Sequence, residues 1–452
     1  MKSDKTSAIS RRSFLKTQAA GALSAAMFST FTPLQTSYAA DSPNERFTIG
    51  FIGCGGMGGG DAGDMAQFGD VVALADVNID KAEAFKNNNR IVANPSRAFT
   101  TQDYRKVLER NDIDVVGIAT PDHWHVKIAV EALLAGKHVF CQKPLTLTIE
   151  ENRLIRKAVK QTGKVFQVGS QQRLDKGHFM QATLMVRKGL LGDIKRVVVQ
   201  LPSGPIDGPF PVAQIPKNLD WNMFLGQAPF TEYRERRASG SFRYFLDYSG
   251  GVLTDWGAHH IDCALWALDQ LGEGRGLVEI DGREVKHASE LDEHGYPKFD
   301  DRFCTASSFK IKTKVANGVE LEIIDKGTEN GILFEGSKGR IFVDRGRITG
   351  KPIEEGRQNS LTDADYVALN RGKPVEWHKA NFFRCIREGG EAASEPIEHT
   401  YAMTACHLCV IAARLGRVIR WDPNKEVIVG DEEANAFQHR EQRKGFELPK
   451  LS

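Results

Sequence analysis

Gly53, Gly55 and Gly58 stand at the spacing G-x-G-x-x-G inside the stretch Gly53-Cys54-Gly55-Gly56-Met57-Gly58. Glycines so placed permit a tight turn and let the backbone approach a pyrophosphate, whose charge the N-terminus of a following helix stabilises. Alone the pattern is weak, because a merely glycine-rich turn reads the same way. Asp76 supplies context, 18 residues beyond Gly58 at the end of a strand-like run. Its carboxylate can accept from both ribose hydroxyls and repels a 2′-phosphate, which favours NAD over NADP.

A second candidate is Lys143-Pro144, just after a strand-like run at 138–141. Ligands of open α/β sheets bind beyond the carboxyl ends of the strands, so an ammonium there can donate to a substrate hydroxyl. A solvated lysine before a turn proline is the plainer alternative. The third candidate is Asp255-Trp256-Gly257-Ala258-His259-His260-Ile261-Asp262. On one helix a carboxylate and an imidazole at i and i+4 share a face, so Asp255 would fix the tautomer of His259 and raise its basicity toward a hydroxyl proton. The competing reading makes Thr254 or Asp255 an N-cap and the histidines solvated first-turn residues. His259, His260 and Asp262 are also metal-ligand types, but adjacent spacing puts them on different faces; acid/base work ranks first and no metal is expected. Cys406-His407-Leu408-Cys409 lacks a second Cys/His pair at ligand spacing, so it does not make a zinc site.

These residues need elements to position them. Strand-like runs at 47–52, 71–75, 114–119 and 138–141 alternate with helical patterns such as 127–134, closed by Gly136. Thr148 with Glu151 makes a capping box for a helix ending near Gly163. That alternation predicts right-handed βαβ units and a parallel sheet, an α/β fold. Beyond 165–168 the pattern changes. Runs at 197–199, 309–315, 320–324 and 340–343 come mostly without helices between them, which predicts an antiparallel or mixed sheet. Helices at 378–388 and 399–414 and a polar tail complete the chain.

The chain has 452 residues, 41% hydrophobic and 26% charged, enough for about two or three domains. With 60 Lys+Arg against 58 Asp+Glu, no basic excess argues for nucleic acid as a partner. Residues 1–39 hold five basic residues (Lys2, Lys5, Arg11, Arg12, Lys16) and one acidic residue (Asp4), so without them 55 basic residues face 57 acidic ones. That stretch is laid out as an export signal: a basic region, an Ala-rich apolar run, then Ser37-Tyr38-Ala39 before Ala40 as a small-residue cleavage site. Its Ser10-Arg11-Arg12-Ser13-Phe14-Leu15-Lys16 resembles the twin-arginine signal at every position of S-R-R-x-F-L-K. The apolar run is too short to cross roughly 30 Å of hydrocarbon unaided, so a periplasmic or otherwise exported protein is expected, with the twin-arginine translocase as a partner during export and no membrane span after cleavage. The odd, scattered set of seven cysteines fits this route, which carries proteins already folded in the reducing cytoplasm.

Together the motifs resemble the glucose-fructose oxidoreductase and inositol dehydrogenase family, Gfo/Idh/MocA. The matching stretches run in family order: the glycine turn, Ala119-Thr120-Pro121-Asp122-His123-Trp124-His125, Ala135-Gly136-Lys137-His138-Val139, Lys143-Pro144, Arg187-Lys188-Gly189-Leu190-Leu191-Gly192, Gly250-Gly251-Val252-Leu253-Thr254-Asp255 with His259, and Phe334-Glu335-Gly336-Ser337-Lys338-Gly339. The resemblance implies, after the 1–39 signal, a Rossmann domain at 40–168. A substrate and oligomerisation domain with a large, mostly antiparallel open sheet would follow at 169–420, with a C-terminal tail at 421–452. A homo-oligomer, dimer or tetramer, is implied too. Lys143 matches the lysine of the E-K-P motif. Asp255 and His259 match the D-x-x-x-H pair, His259 as acid/base and Asp255 as its orienter or a substrate ligand. Thr120, Pro121 and His125 match the loop beside the nicotinamide, so the candidate cofactor contacts are Gly53, Gly55, Gly56, Met57, Gly58, Asp76, Thr120, Pro121, His125 and Lys143. Gln171, Arg173, Trp221, Tyr244 and His260 are candidate substrate contacts. One position departs from the family: Gln142 replaces the glutamate of E-K-P, and a neutral amide cannot hold Lys143 as an ammonium through charge.

The activity implied is reversible, NAD-dependent oxidation of a secondary hydroxyl on a sugar, polyol or glycoside. Free NAD is scarce outside the cytoplasm, so an exported enzyme would carry its cofactor tightly held. The nearest alternative is a redox-assisted glycosidase, epimerase or lyase, in which transient oxidation acidifies a neighbouring C–H bond. A non-catalytic dinucleotide-binding sensor would have lost the acid/base set, whereas Lys143, Asp255 and His259 are all present.

Overall fold

Strand β1 (Phe47–Ile52) is increasingly apolar toward its end, as a strand covered on both faces must be, and it lies at the centre of a parallel sheet. The computed structural model describes residues 46–325 and 329–451; the export signal and its cleavage site fall outside the described residues. After β1 come α1 (Gly56–Met65), β2 (Gly69–Ala75), β3 (Phe99–Thr101), β4 (Val115–Ile118), α2 (Asp122–Leu134), β5 (His138–Cys141), α3 (Ile149–Thr162) and β6 (Phe166–Val168). The strand order is β3-β2-β1-β4-β5-β6, with every pair parallel. This is the Rossmann arrangement. The chain reverses its direction of travel across the sheet between β1 and β4, and a crevice opens there beyond the carboxyl ends of the strands. Thr148 Oγ1 accepts from Glu151 N at the start of α3, and Gly163 closes it in the left-handed region at φ 63°. Helix α2 begins five residues before the predicted 127, directly after Pro121.

The second sheet contains β7 (Ile194–Leu201), β8 (Leu277–Asp281), β9 (Val285–His287), β10 (Ala306–Val315), β11 (Glu320–Asp325), β12 (Gly331–Gly336), β13 (Gly339–Val343), β14 (Ile348–Thr349), β15 (Val418–Asp422) and β16 (Val427–Ile428). Its order is β14-β13-β12-β7-β11-β10-β8-β15-β16, with β9 on β10. All pairs are antiparallel except β7 with β11. Along β10, Phe309, Ile311, Thr313 and Val315 are buried while Ser308, Lys310, Lys312 and Lys314 are exposed, so one face meets the core and the other meets solvent.

The covered face packs against α4 (Val252–Asp255), which buries Val252, Leu253 and Thr254, and α5 (Gly257–Ala267), every residue of which is buried. Helix α6 (His378–Glu388), between β14 and β15 in sequence, packs on the first sheet: Phe382 and Phe383 share a core with Ile49, Phe51 and Phe140. Helix α7 (Pro396–Leu415) returns to the second sheet. Near the C-terminus, Phe446, Leu448 and Leu451 pack against the first sheet's other core. The seven cysteines are free buried thiols. Among the described residues no helix is long and apolar enough to cross a membrane.

Candidate active site

The glycine turn joins β1 to α1 and borders the crevice. Gly53 adopts φ +95°, and a Cβ there would stand 2.5 Å from the Ala119 carbonyl carbon; a Cβ on Gly58 would stand 2.1 Å from Gly53 O. These two glycines let the turn close against β4. Gly55 and Gly56 face open space, Met57 is exposed, and no side chain caps α1, which leaves its first turn open to an anion. Asp76 leaves β2 with both carboxylate oxygens engaged: Cys54 N donates to Oδ2 and Asn78 N to Oδ1, each at 2.8 Å. Burial raises its pKa against the pull of these N–H groups. Across the crevice, Thr120 Oγ1 is buried without a partner. An open helix N-terminus, an anchored carboxylate and an orphaned hydroxyl around one crevice fit a dinucleotide.

His125, one turn into α2, ties two loops together. Its Nδ1 lies 2.7 Å from Pro144 O and its Nε2 2.9 Å from Thr120 O. Burial pushes its pKa down to about 4, although two carbonyl acceptors favour protonation. The neutral ring can donate to only one of them. His125 thus positions the loop that carries Lys143.

Lys143 Nζ reaches Asp255 Oδ1 at 2.7 Å and Asp255 O at 3.1 Å, and Arg243 Nε approaches the same Oδ1 at 3.3 Å. Burial would raise the Asp255 pKa, but Lys143 and Arg243 together hold it down at about 2. This corrects the expectation that Asp255 orients His259. Trp256, between α4 and α5, keeps helical backbone angles (φ −89°, ψ −30°), but the Asp255 carboxylate is taken up by Lys143 and Arg243 rather than by His259. His259 Nδ1 is buried without a partner. Burial, then the charges of Lys143 and Arg345, hold its pKa well below the ordinary value, so the ring is neutral.

Asp122, directly between Pro121 and His123, also belongs to this site, although no spacing signal in the sequence marks it. It is buried beside Arg243; burial pushes its pKa up to about 7, with Arg243 opposing and Asp255 reinforcing the shift. Arg243 comes from a short 3-10 helix (Gly240–Tyr244) and Arg345 from the turn between β13 and β14; neither carries a periodic signal, so their proximity to the site is not legible in spacing.

The candidate substrate contacts divide. Tyr244 is half-buried and within electrostatic reach of Asp255, which helps burial raise its phenol pKa. His260 stacks on Phe179 and Trp256 with ring centroids 5.7 and 5.6 Å apart, and burial pushes its pKa to about 3. Arg173 is buried and shared between Asp262, at 2.7 and 2.8 Å, and Glu398 at 3.0 Å. Trp221 lies among Phe224 and Tyr233 and donates from Nε1 to Thr231 O at 3.0 Å. Gln171 is exposed. The structure shows no hydrogen bond or ion pair from these last three to Lys143, Asp255 or His259.

Comparison with known proteins agrees with the fold. Residues 47–170 match the NAD-binding Rossmann-fold model of the Gfo/Idh/MocA oxidoreductases, and residues 207–448 match that family's C-terminal alpha/beta domain. A glycosyl hydrolase family 109 protein of Shewanella pealeana is 28% identical over 205 residues, 41% of this chain and 44% of that protein. A levoglucosan dehydrogenase of Pseudarthrobacter phenanthrenivorans is 42% identical over 85 residues, 18% of this chain and 22% of that protein. The chain spans less than half the length of these curated relatives. Among solved structures, levoglucosan dehydrogenase in complex with NADH and levoglucosan shares the fold: its TM-score is 0.57 at 19% identity, covering 85% of this chain and 100% of that one.

Proposed function

The chain belongs to the Gfo/Idh/MocA oxidoreductase family, and on that premise we propose that it is an NAD-dependent oxidoreductase acting on a secondary hydroxyl of a sugar, polyol or glycoside. One observation carries this reading: Lys143 and Asp255 form an ion pair 2.7 Å long, and a neutral His259 lies within reach of its charge. A neutral imidazole can take the hydroxyl proton while Lys143 donates to the same oxygen as negative charge develops on it. Asp255 holds the ammonium in place, with Arg243 as a second anchor. The nicotinamide, when bound, supplies the hydride chemistry. Asp76, at the end of β2, favours NAD over NADP by accepting from the ribose hydroxyls.

The twin-arginine pattern at 10–16 supports export of the folded chain with its cofactor already held. Replacing Arg11 and Arg12 together by Lys should retain the protein in the cytoplasmic fraction; undiminished export would refute this route.

The likeness to a glycosyl hydrolase family 109 protein supports a second reading, redox-assisted cleavage with no net oxidation. Stoichiometry separates the two. Net NADH formation, or dependence on an added acceptor, marks the oxidoreductase, whereas turnover with unchanged cofactor marks the other chemistry.

A further inference from the structure

Cations around His259 outnumber the carboxylates that answer them. Lys143 and Arg243 both converge on Asp255, at 2.7 and 3.3 Å. Arg345, on the turn between β13 and β14, adds a third positive group. Its guanidinium lies over the Trp256 ring, 4.7 Å from the centroid, and the residue is exposed to solvent. Trp256 in turn lies 6.0 Å from the His259 ring and stacks on His260. Through Trp256, Arg345 lies beside both histidines, and its charge acts on each of them.

Nearby carboxylates do not neutralise it. Asp344 is paired with Arg347 at 3.1 Å, and Asp175 lies 3.1 Å from His178 Nδ1. Asp255 already serves two cations. Among the described residues, Arg345 makes no hydrogen bond or ion pair, and its guanidinium lies over the Trp256 ring. An exposed guanidinium held over an aromatic ring beside His259 and His260, with its donors directed at no described protein acceptor, is arranged for a ligand. Its planar fork matches a carboxylate through two parallel hydrogen bonds.

We propose that Arg345, assisted by Arg243, binds a carboxylate on the substrate, so that the substrate class is a sugar acid of the uronate type. This rests on the reading of the chain as a sugar oxidoreductase. The same carboxylate would offset the positive field that makes His259 a poor proton acceptor in the free protein, coupling recognition of the acid to the basicity needed for oxidation.

Calorimetric titration of the full-length chain, saturated with NADH so that no oxidation proceeds, tests the proposal with methyl glucuronoside and methyl glucoside as probes. The uronoside should bind at least about tenfold more tightly, a difference of roughly 1.4 kcal/mol, and should weaken with added salt. Arg345→Gln should erase most of that preference, while Arg345→Lys, which keeps the charge and serves as a control for folding, should retain part of it. Equal affinity for the two probes, no binding of the uronoside, or an unchanged preference in Arg345→Gln would each overturn the proposal. The readout needs no turnover. Tight uronoside binding without any oxidation in the NAD-loaded protein would refute the oxidoreductase reading alone, and oxidation of glycosides with no preference for the acid would refute only the carboxylate site.

Discussion

Gln142 Nε2 donates to Asp61 Oδ2 across 2.6 Å, and Lys379 Nζ meets the other oxygen of Asp61 at the same distance. All three side chains are buried, and the ammonium also sits over the Phe140 ring, 3.2 Å from its centroid. The carboxylate lost from the position before Lys143 thus has a counterpart on α1, where Lys379 of α6 answers it. A glutamate at 142 would face Asp61 directly, so the amide is the complementary choice. This contact joins the helix behind the glycine turn to the exit of β5, where Lys143 begins.

Asp61→Asn should therefore be strongly destabilising, because it leaves the Lys379 ammonium buried and unpaired. Breaking one partner of such a pair costs about 3–5 kcal/mol, which urea unfolding would read as a large fall in midpoint. Gln142→Glu should destabilise less, because it sets a second carboxylate against Asp61 but leaves Lys379 paired. Wild-type midpoints in both variants would show that the network carries no weight.

Asp76→Ala removes the acceptor placed for the ribose and also frees the Cys54 and Asn78 amides that the carboxylate holds. NAD affinity should fall by at least about tenfold, the loss expected for one charge-assisted contact, with NADP affinity falling less. Fluorescence titration with the two reduced cofactors gives the ratio. An unchanged ratio would remove Asp76 from the ribose site.

Asp122 gives a pH signature. Burial raises its folded pKa to about 7 from the ordinary 3.8, so the folded chain holds a proton there that the unfolded chain releases. Its contribution is complete below the unfolded value, declines as pH rises toward 7, and is flat above. Asp122→Asn mimics the protonated form. The variant should match wild type near pH 4 and become the more stable of the two as pH approaches 8, by at most roughly 4 kcal/mol. A stability difference that does not change with pH would contradict the shifted ionisation.

Local pattern made the first sheet legible. Phe47–Ile52 and His138–Cys141 are strands with the predicted bounds, because short apolar runs between turn residues leave little choice. The helix at Asp122–Leu134 starts early because Pro121 fixes its entry while the polar Asp122-His123-Trp124-His125 resembles a loop; all four side chains are in fact buried. Within the site, Lys143, Asp255 and His259 were legible as residue types but not in their pairing. A shared helix face at i,i+4 does not by itself fix a side-chain contact, and the Asp255 carboxylate instead meets a lysine 112 residues away. Arg243 reaches the site from a short 3-10 helix and Arg345 from a strand-to-strand turn, where only tertiary packing decides what a side chain meets.

His259→Ala examines the proposed chemistry most directly. The full-length variant and wild type are purified without added nicotinamide, their bound cofactor is released by denaturation and measured, and single turnover is followed at the nicotinamide absorbance with a sugar or uronoside that wild type oxidises. The cofactor content should be equal in the two proteins, and reduction in the variant should slow by a hundredfold or more, on the order expected for loss of a general base. Reduction at the wild-type rate would contradict His259 as the group that takes the hydroxyl proton.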